Sequence, residues 1–353
     1  MLKLIYLSEN FALARAALQN WPHDPATLDK RLMHFRISSN AVYPFDCGGK
    51  LSFLRLTPAA EKSADAIRAE LAFLAYLQAE GYPALRPIPA VSGETLLTLE
   101  PPWGAWHACA FTGVPGRPME DVPLTEEVLL HYGAALGRLH ALSMAYDPTL
   151  RRPTCEDALA WVSEMLADAP DFLRQECRTV ADLLRRKPKT RQNYGLVHYD
   201  FEPDNVFYDG ETCHVIDFDD SMEHFYAIDL VQALDELPPE AAAPFLRGYA
   251  SACPDSQADA ADFPLMRRFR DLYSYARLQH ALSERPAPMP DWMPPLIARL
   301  EHKARMLEEQ IQLRAQKRRP PIPGSRPSAV YQPLPCRTQS SAVHRRRRIR
   351  QAL

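Results

Sequence analysis

The 353-residue sequence has no hydrophobic run that approaches the length of a membrane-spanning helix, which argues against an integral membrane protein. Residues 1–18 hold one Lys and a short apolar patch broken by Glu9, with no small-residue cleavage site, so they do not resemble a signal peptide. The seven cysteines are scattered and form no C-x-x-C pair, which argues against a zinc or redox centre. We therefore expect a cytoplasmic protein with reduced, mostly buried thiols.

Acidic residues are absent after Glu309. Residues 1–313 carry a formal charge of about −14, and the residues that follow carry about +11. This end is also rich in proline and poor in apolar residues, so it cannot bury enough surface to fold. We predict a disordered basic tail over residues 316–353. A solvated tail is the favoured interpretation, and electrostatic binding to nucleic acid or anionic lipid is the weaker alternative.

The rest of the chain has an ordinary globular composition, with 46% hydrophobic and 24% charged residues, and is long enough for two packed units. Local patterns predict N-terminal strands at 31–38, 50–56, 95–100 and 105–111, with helices at 8–20 and 59–80. Beyond a boundary at residues 113–116, they predict helices at 125–143, 156–168, 171–186, 223–237, 240–251, 262–283 and 295–314. We predict an α+β fold with two lobes. The N-lobe, 1–112, has a small antiparallel sheet and one long helix, and the C-lobe, 113–315, is mostly helical.

One segment of the predicted C-lobe concentrates the polar residues that chemistry needs. His198, Asp200 and Asn205 follow the pattern H-x-D-x-x-x-x-N, and Asp217 comes after a short hairpin that turns at Asp209-Gly210. An Asp in a loop can accept a hydroxyl proton, and an Asn and an Asp at the open end of a hairpin can hold Mg²⁺, which prefers oxygen ligands. A solvated acidic loop would explain single acidic residues, but not the whole spaced set.

A carboxylate also lies within the apolar stripe of the long N-lobe helix. Glu70 occurs at helical spacing among Leu and Ile residues, and a carboxylate that faces a core needs a partner. Arg55 is the candidate partner, because it is the lone cation between apolar neighbours of a predicted strand. The alternatives are that Glu70 extends to the edge of the lobe and that Arg55 is an exposed strand residue.

These segments resemble the aminoglycoside phosphotransferase family, a branch of the protein-kinase-like fold that also includes choline and homoserine kinases. The resemblance covers about residues 30–310. Besides the two catalytic segments, it includes a nucleotide loop at 35–40, a third strand at 53–56, a hinge region at 113–116 and a helical segment at 136–140.

The resemblance implies a kinase that transfers the γ-phosphoryl group of ATP or GTP to a hydroxyl group, with Mg²⁺ as cofactor. It implies the following roles: Asp200 as the catalytic base; Asn205 and Asp217 as Mg²⁺ ligands; Arg55, held by Glu70, as the phosphate contact; Ser38, Ser39 and Asn40 as the loop over the phosphates; His198 as a prop of the catalytic loop; and Asp229 as the helix aspartate that braces it. The chain departs from protein kinases in two places, since Ser38–Asn40 replaces a glycine-rich loop and Arg55 replaces a lysine. A nucleotide-binding pseudokinase without turnover is therefore an alternative.

The predicted acceptor is a small molecule with a hydroxyl group. Residues 217–262 hold eleven acidic residues and one Arg, which could attract a cationic acceptor such as an aminated sugar, choline or a basic amino alcohol. An ordinary acidic surface explains the same composition equally well. Aromatic residues that could form a cation-binding wall are Trp103, Trp106, Tyr226, Tyr273 and Tyr275. A bacterial Ser/Thr protein kinase of the same fold is an alternative function.

Overall fold

The computed structural model describes residues 1–7 and 10–317 of the chain. Its first part contains one antiparallel sheet with the strand order β1-β2-β3-β6-β4, and β5 also pairs with β6. The strands are β1 Arg36–Ile37, β2 Ala41–Cys47, β3 Lys50–Pro58, β4 Arg86–Ile88, β5 Leu97–Leu99 and β6 Trp106–Thr112. The helices of this part are α1 Phe11–Leu18, α2 Leu28–Leu32 and α3 Ala64–Ala79. A small sheet with one long helix is the arrangement that the sequence predicts for the N-lobe.

The strand predicted at 31–38 is wrong over most of its length. Arg31 lies in α2, where its Nε donates a hydrogen bond to Asp46 Oδ2 of β2 at 2.8 Å, so a tertiary ion pair outweighs local β propensity. Strand β4 was missed because Pro87 argues against a central strand. It is accommodated because β4 lies at the edge of the sheet.

Two of the three N-lobe helices, α1 and α3, begin where a side chain caps their first turn. Asn10 Oδ1 accepts a hydrogen bond from Leu13 N and caps α1. The Ser63 side chain caps α3, and the long helix therefore begins several residues later than predicted.

The remainder of the described chain is mostly helical. Its helices are α4 Glu126–Ala145, α5 Cys155–Met165, α6 Asp171–Arg186, α7 Ala227–Glu236, α8 Ala242–Ala252, α9 Phe263–Leu282 and α10 Met293–Lys317. Its strands are β7 Arg117–Pro118, β8 Tyr194–Val197, β9 Val206–Tyr208, β10 Cys213–Val215 and β11 Met222–Phe225. They form the small sheets β10-β9-β7 and β11-β8. The helix predicted from residue 223 is thus wrong at its start, because residues 222–225 pair with a distant strand.

The end of α10 differs from the prediction. The helix continues to Lys317, so the predicted basic tail cannot begin at residue 316. Arg314, in its last turn, donates a hydrogen bond to Asp271 of α9. Residues 318–353, the rest of the predicted tail, lie outside the described residues. No helix of the described part is long and apolar enough to cross a membrane.

Hydrophobic packing fixes α3 and the catalytic segments relative to each other. One buried cluster joins Leu71 and Leu74 of α3 to Leu136 of α4 and to Phe201 and Phe218, which flank the predicted catalytic and metal-binding residues. A second cluster joins α5, α6, α7, α9 and α10 to the end of β8. The loop that follows β8 therefore lies where the two clusters meet, on rigid supports.

Candidate active site

The structure brings Asp200, Asn205 and Asp217 together at one end of the β9–β10 hairpin. Asn205 Nδ2 donates hydrogen bonds to Asp200 Oδ2 at 2.7 Å and to the Asp200 carbonyl oxygen at 2.9 Å. Ile216 N donates to the Asn205 carbonyl oxygen at 3.0 Å, which places Asp217 next to the residue opposite Asn205. In the hairpin Tyr208 lies opposite Cys213, so the turn spans residues 209–212 and begins at the Asp-Gly pair.

Asp229 of α7 braces the loop that carries Asp200. Its two carboxylate oxygens each accept a 2.8 Å hydrogen bond, Oδ2 from His198 N and Oδ1 from Tyr199 N, and Oδ2 also lies 3.1 Å from His140 Nε2. Tyr199 has a φ of 65°, a backbone conformation that costs free energy in a non-glycine residue. The predicted bracing contact is confirmed, and it stabilises a strained turn one residue before Asp200.

His198 connects the predicted catalytic loop to the predicted metal-binding segment. Its Nε2 lies 2.9 Å from the carbonyl oxygen of Ile216, so this nitrogen must be the donor. Its Nδ1 then accepts a hydrogen bond from Asp200 N at 3.2 Å. Burial lowers the pKa of His198, although Asp229 acts in the opposite direction, so the neutral ring is favoured. These contacts are the ones expected of a side chain that supports the loop before Asp200.

The carboxyl groups of Asp200 and Asp217 are half-buried and have too little positive charge around them. Burial, together with Glu202, Asp220 and Asp217, raises the pKa of Asp200 well above its ordinary value, and Arg277 offsets only part of this effect. Burial and the neighbouring Asp219 and Asp220 raise the pKa of Asp217 to about 7. Both groups therefore favour the protonated form while no further cation is close to them.

The oxygen atoms of Asn205 and Asp217 fit a hard divalent cation. The Asn205 amide nitrogen is occupied by Asp200, which leaves its Oδ1 available as a ligand. No residue in the described ranges donates a hydrogen bond to the Asp217 carboxylate. The backbone of Asp217 has a φ of 63°, so the chain leaves the extended conformation of the preceding strand at this residue. Mg²⁺ is typically held by one or two such protein oxygens together with substrate phosphates and water.

Arg55 and Glu70 form a buried bidentate ion pair between β3 and α3. Nη1 and Nη2 of Arg55 donate to the two Glu70 oxygens at 2.8 and 2.9 Å, and Asp219 Oδ1 lies 3.7 Å from Nη1. Burial lowers the pKa of Arg55, but Glu70 and Asp219 outweigh that effect and raise it well above the ordinary value. The Arg55 Nε–H is buried and has no partner within the described chain.

The predicted nucleotide loop, Ser38–Asn40, connects β1 to β2 and is anchored at each residue. Ser38 N donates to the Asn40 carbonyl oxygen at 3.0 Å, and Thr57 Oγ1 donates to Asn40 Oδ1 at 2.6 Å. Ser39 Oγ accepts a 3.0 Å hydrogen bond from Arg277 of α9. The loop is therefore held by side chains rather than shaped by glycine.

Two cations that hold the metal-binding segment were missed by the sequence reasoning. The Arg152 guanidinium is buried and donates to backbone carbonyl oxygens of Ala66, Phe218, Asp219 and Ser221 at 2.8–3.2 Å. Lys62 Nζ donates to Asp219 Oδ1 at 2.6 Å. No local pattern distinguishes Arg152, at 3% exposure, from its exposed neighbour Arg151. Its role depends on three segments that meet only in the fold.

The predicted aromatic wall is not formed. Trp103 is exposed, Trp106 packs in the N-lobe core, and Tyr226 stacks on His140. Tyr273 and Tyr275 both lie on α9. The Tyr275 hydroxyl donates a hydrogen bond to Glu308, and of the five aromatic residues only Tyr273 lines a pocket beside the candidate site.

Four of the eleven acidic residues over 217–262 are paired with a Lys or Arg in the described chain. Each pairing involves a cation from another segment: Asp219 with Lys62, Asp220 with Arg277, Asp235 with Arg267 and Arg270, and Asp262 with Lys187. The number of acidic residues in the sequence therefore overstates the free negative charge of this region.

The chain is similar in sequence to curated kinases. The chain is 23% identical over 198 residues to amicoumacin kinase of Bacillus subtilis (strain 168), covering 55% of the chain and 59% of that protein. It is 32% identical over 149 residues to homoserine kinase of Rhodospirillum rubrum, covering 38% of the chain and 46% of that protein. The chain thus spans about half the length of these curated relatives.

The fold is also found in solved structures. The structure of amicoumacin kinase hAmiN in complex with AMP-PNP, Ca²⁺ and Ami superposes with a TM-score of 0.68 at 19% identity, covering 86% of this chain and 94% of that one. This likeness shows the two-lobed kinase-like fold. A sequence profile of the phosphotransferase enzyme family matches residues 39–261, which include Ser39 and Asn40 of the predicted nucleotide loop, the Arg55–Glu70 pair and both predicted catalytic segments. The chain belongs to the phosphotransferase enzyme family.

Proposed function

We propose that this chain is a kinase that transfers the γ-phosphoryl group of ATP or GTP to a hydroxyl group of a small, cationic acceptor. The observation that carries the proposal is the cluster of Asp200, Asn205 and Asp217. A base for a hydroxyl proton and two oxygen ligands for a divalent cation lie within one hydrogen-bonded unit. Phosphoryl transfer needs this combination, because its catalysis consists mainly of positioning and charge stabilisation.

Asp200 is assigned as the group that orients the acceptor hydroxyl and accepts its proton. The Asn205 amide fixes the Asp200 carboxylate, and Asp229 fixes the backbone of the loop before it. Asn205 Oδ1 and the Asp217 carboxylate would hold Mg²⁺, which supplies positive charge to the phosphate oxygens when it is bound. The negative charge at Asp217 that metal binding requires would then no longer be unfavourable.

Arg55 is assigned as the phosphate contact, and Glu70 holds its guanidinium in place. Both terminal nitrogens of Arg55 are bound by Glu70, so the guanidinium group is held in one orientation. The Nε–H group has no hydrogen-bond partner in the described chain. The backbone of Ser38–Asn40 would cover the phosphates from above. Similarity to an amicoumacin kinase and to homoserine kinases supports a small acceptor that carries an amino group.

The test is transfer of labelled γ-phosphate, in the presence of Mg²⁺, to a panel of aminoglycosides, amino alcohols, homoserine and a generic protein. Wild-type protein is compared with Asp200→Asn, which keeps the size and the hydrogen bond to Asn205 but cannot accept a proton. We expect a labelled small molecule from the wild type alone, with equal binding of nucleotide to both proteins. Labelling of the protein substrate alone would favour a protein kinase. Nucleotide binding without any labelled product would favour a pseudokinase.

A further inference from the structure

The guanidinium group of Arg277 connects α9 to two predicted parts of the candidate site. Its Nη2 donates a hydrogen bond to Ser39 Oγ at 3.0 Å, in the predicted nucleotide loop. Its Nη1 donates to Asp220 Oδ2 at 2.5 Å, in the segment that follows Asp217. Arg277 therefore bridges the loop that is predicted to cover the phosphates and the segment that is predicted to hold the metal ion, although it belongs to neither.

This bridge borders an open cavity rather than the interior of the protein. Ser39, Asp220 and Arg277 all line a pocket of about 430 Å³ between the start of α3 and helices α5 and α9. The side chain of Arg277 is 21% exposed, and that of Asp220 is 19% exposed. The bridge therefore lies where a bound ligand can reach it.

Arg277 is held as a cation in one orientation. Burial lowers its pKa, but Asp220, Tyr273 and Asp200 raise it above the ordinary value. The guanidinium group lies over the Tyr273 ring, with its Cζ 5.6 Å from the ring centroid. The ring and the two hydrogen bonds together fix the plane of the group, so both partners are held at a set distance from each other.

Arg277 differs from the other Lys and Arg side chains of this pocket through its contact with the nucleotide loop. Lys62 and Arg152 also line the pocket. Their hydrogen bonds go to α3 and to residues 218–221 instead. Arg277 also lies beyond residues 39–261, the part of the chain that matches the family profile, so membership of the family assigns it no role.

The hydrogen bond from Arg277 determines what the Ser39 hydroxyl can do. A hydroxyl group has one hydrogen to donate and lone pairs that accept. Ser39 Oγ accepts from Arg277, and its own hydrogen has no acceptor within residues 1–7 and 10–317. A hydroxyl that accepts from a charged donor is polarised, which makes it a stronger donor in turn. The Ser39 hydroxyl is therefore suited to donate to an anionic oxygen.

We propose that Arg277 is a positioning residue for the phosphoryl donor, which fixes the nucleotide loop against the metal-binding segment and directs the Ser39 hydroxyl to a phosphate oxygen. The inference rests on the proposed kinase function and adds to it a residue from α9. Phosphate oxygens are the complement of such a polarised donor. Arg277 acts through Ser39, so its effect on nucleotide binding depends on the serine hydroxyl.

The test is calorimetric titration of the full chain with AMP-PNP in the presence of Mg²⁺. Arg277→Met keeps an unbranched stem but removes the donors, and Ser39→Ala removes the hydroxyl. The two changes are made singly and together. Arg267→Met is the control, because Arg267 lies on the same helix and binds Asp235 at 2.6 Å, outside the pocket. Arg277→Gln, which leaves a neutral donor, is titrated in the same way if Arg277→Met does not fold.

We expect Arg277→Met to weaken the binding of AMP-PNP about tenfold, as the loss of a charge-assisted hydrogen bond does, and Arg267→Met to change it by less than about twofold. In the Ser39→Ala background, the factor for Arg277→Met should fall to about half of its wild-type value or less, because the two residues act as a unit.

An effect of Arg277→Met below about threefold, or no larger than that of Arg267→Met, would overturn the assignment. A factor in the Ser39→Ala background that exceeds half of the wild-type one would also overturn it, since general electrostatic attraction or a general loss of folding does not depend on the serine hydroxyl. Failure of the wild type to bind AMP-PNP with Mg²⁺ would instead count against the proposed kinase function itself.

Discussion

Asp217→Asn is expected to stabilise the metal-free protein at neutral and alkaline pH. The pKa of Asp217 rises from an ordinary 3.8 to about 7 in the folded chain, because the carboxyl group is buried and lies beside Asp219 and Asp220. Because the pKa of Asp217 is higher in the folded chain than in the unfolded chain, its contribution to the free energy of unfolding is fully present below about pH 4. That contribution is lost as the pH rises through about 7. A shift of about three pKa units corresponds to about 4 kcal/mol at pH 8, which the uncharged asparagine avoids.

The assay is urea unfolding at pH 4, 6 and 8 with a chelator present. Asp217→Asn should unfold at the same urea concentration as the wild type at pH 4 and at a higher one at pH 8. Asp219→Asn is a matched control in the same segment, because Lys62 and Arg55 overcome burial and lower the pKa of Asp219. It should destabilise the protein at pH 8. A destabilising Asp217→Asn at pH 8, or an effect that does not vary with pH, would refute the reasoning.

Three further changes test separate parts of the structure. Glu70→Gln should lower the free energy of unfolding, measured with urea, by about 3 kcal/mol or more. It removes the negative charge at 2.8 Å from the buried Arg55 guanidinium and leaves it the weaker ion pair with Asp219 at 3.7 Å. A decrease of less than about 1 kcal/mol would contradict this. Arg152→Met should raise the Mg²⁺ concentration that gives half-maximal transfer more than it raises the KM for ATP, because Arg152 holds the segment next to Asp217; equal effects would indicate a general loss of folding. Truncation after Lys317 should abolish salt-sensitive binding to heparin or DNA without affecting phosphoryl transfer, and polyanion binding that survives would place it on the folded part. Truncation at Arg314 is less suitable, because Arg314 binds Asp271.

The fold class and the central residues of the candidate site could be predicted from the sequence because their signals are local. The spacing of His198, Asp200 and Asn205 is set by one loop, and the Asp-Gly dipeptide marks the hairpin that brings the chain back to Asp217. Glu70 was found because a carboxylate inside an apolar stripe violates the helix pattern and requires a partner. In each case a short segment carries the information.

The parts that could not be predicted depend on contacts between distant segments. Strand β11 was predicted as helix because its partner β8 precedes it by more than twenty residues. Arg152 was overlooked because it differs from Arg151 only through the carbonyl oxygens that surround it in the fold. Arg277 was overlooked for the same reason, since its partner Ser39 lies 238 residues earlier in the chain.

The candidate site holds four carboxylates of two kinds. Three of them, Asp217, Asp219 and Asp220, lie in one short segment, and the fourth is Asp200. Asp219 is buried and Asp220 is half-buried. Lys62 and Arg55 lower the pKa of Asp219 below its ordinary value, and Arg277 lowers that of Asp220. Asp200 and Asp217 lack such a partner, and their pKa values are raised. The paired carboxylates hold the structure, whereas the unpaired ones need a cation that the chain does not supply. Because Asp217 must lose its proton to bind a divalent metal ion, metal affinity should increase as the pH rises through about 7.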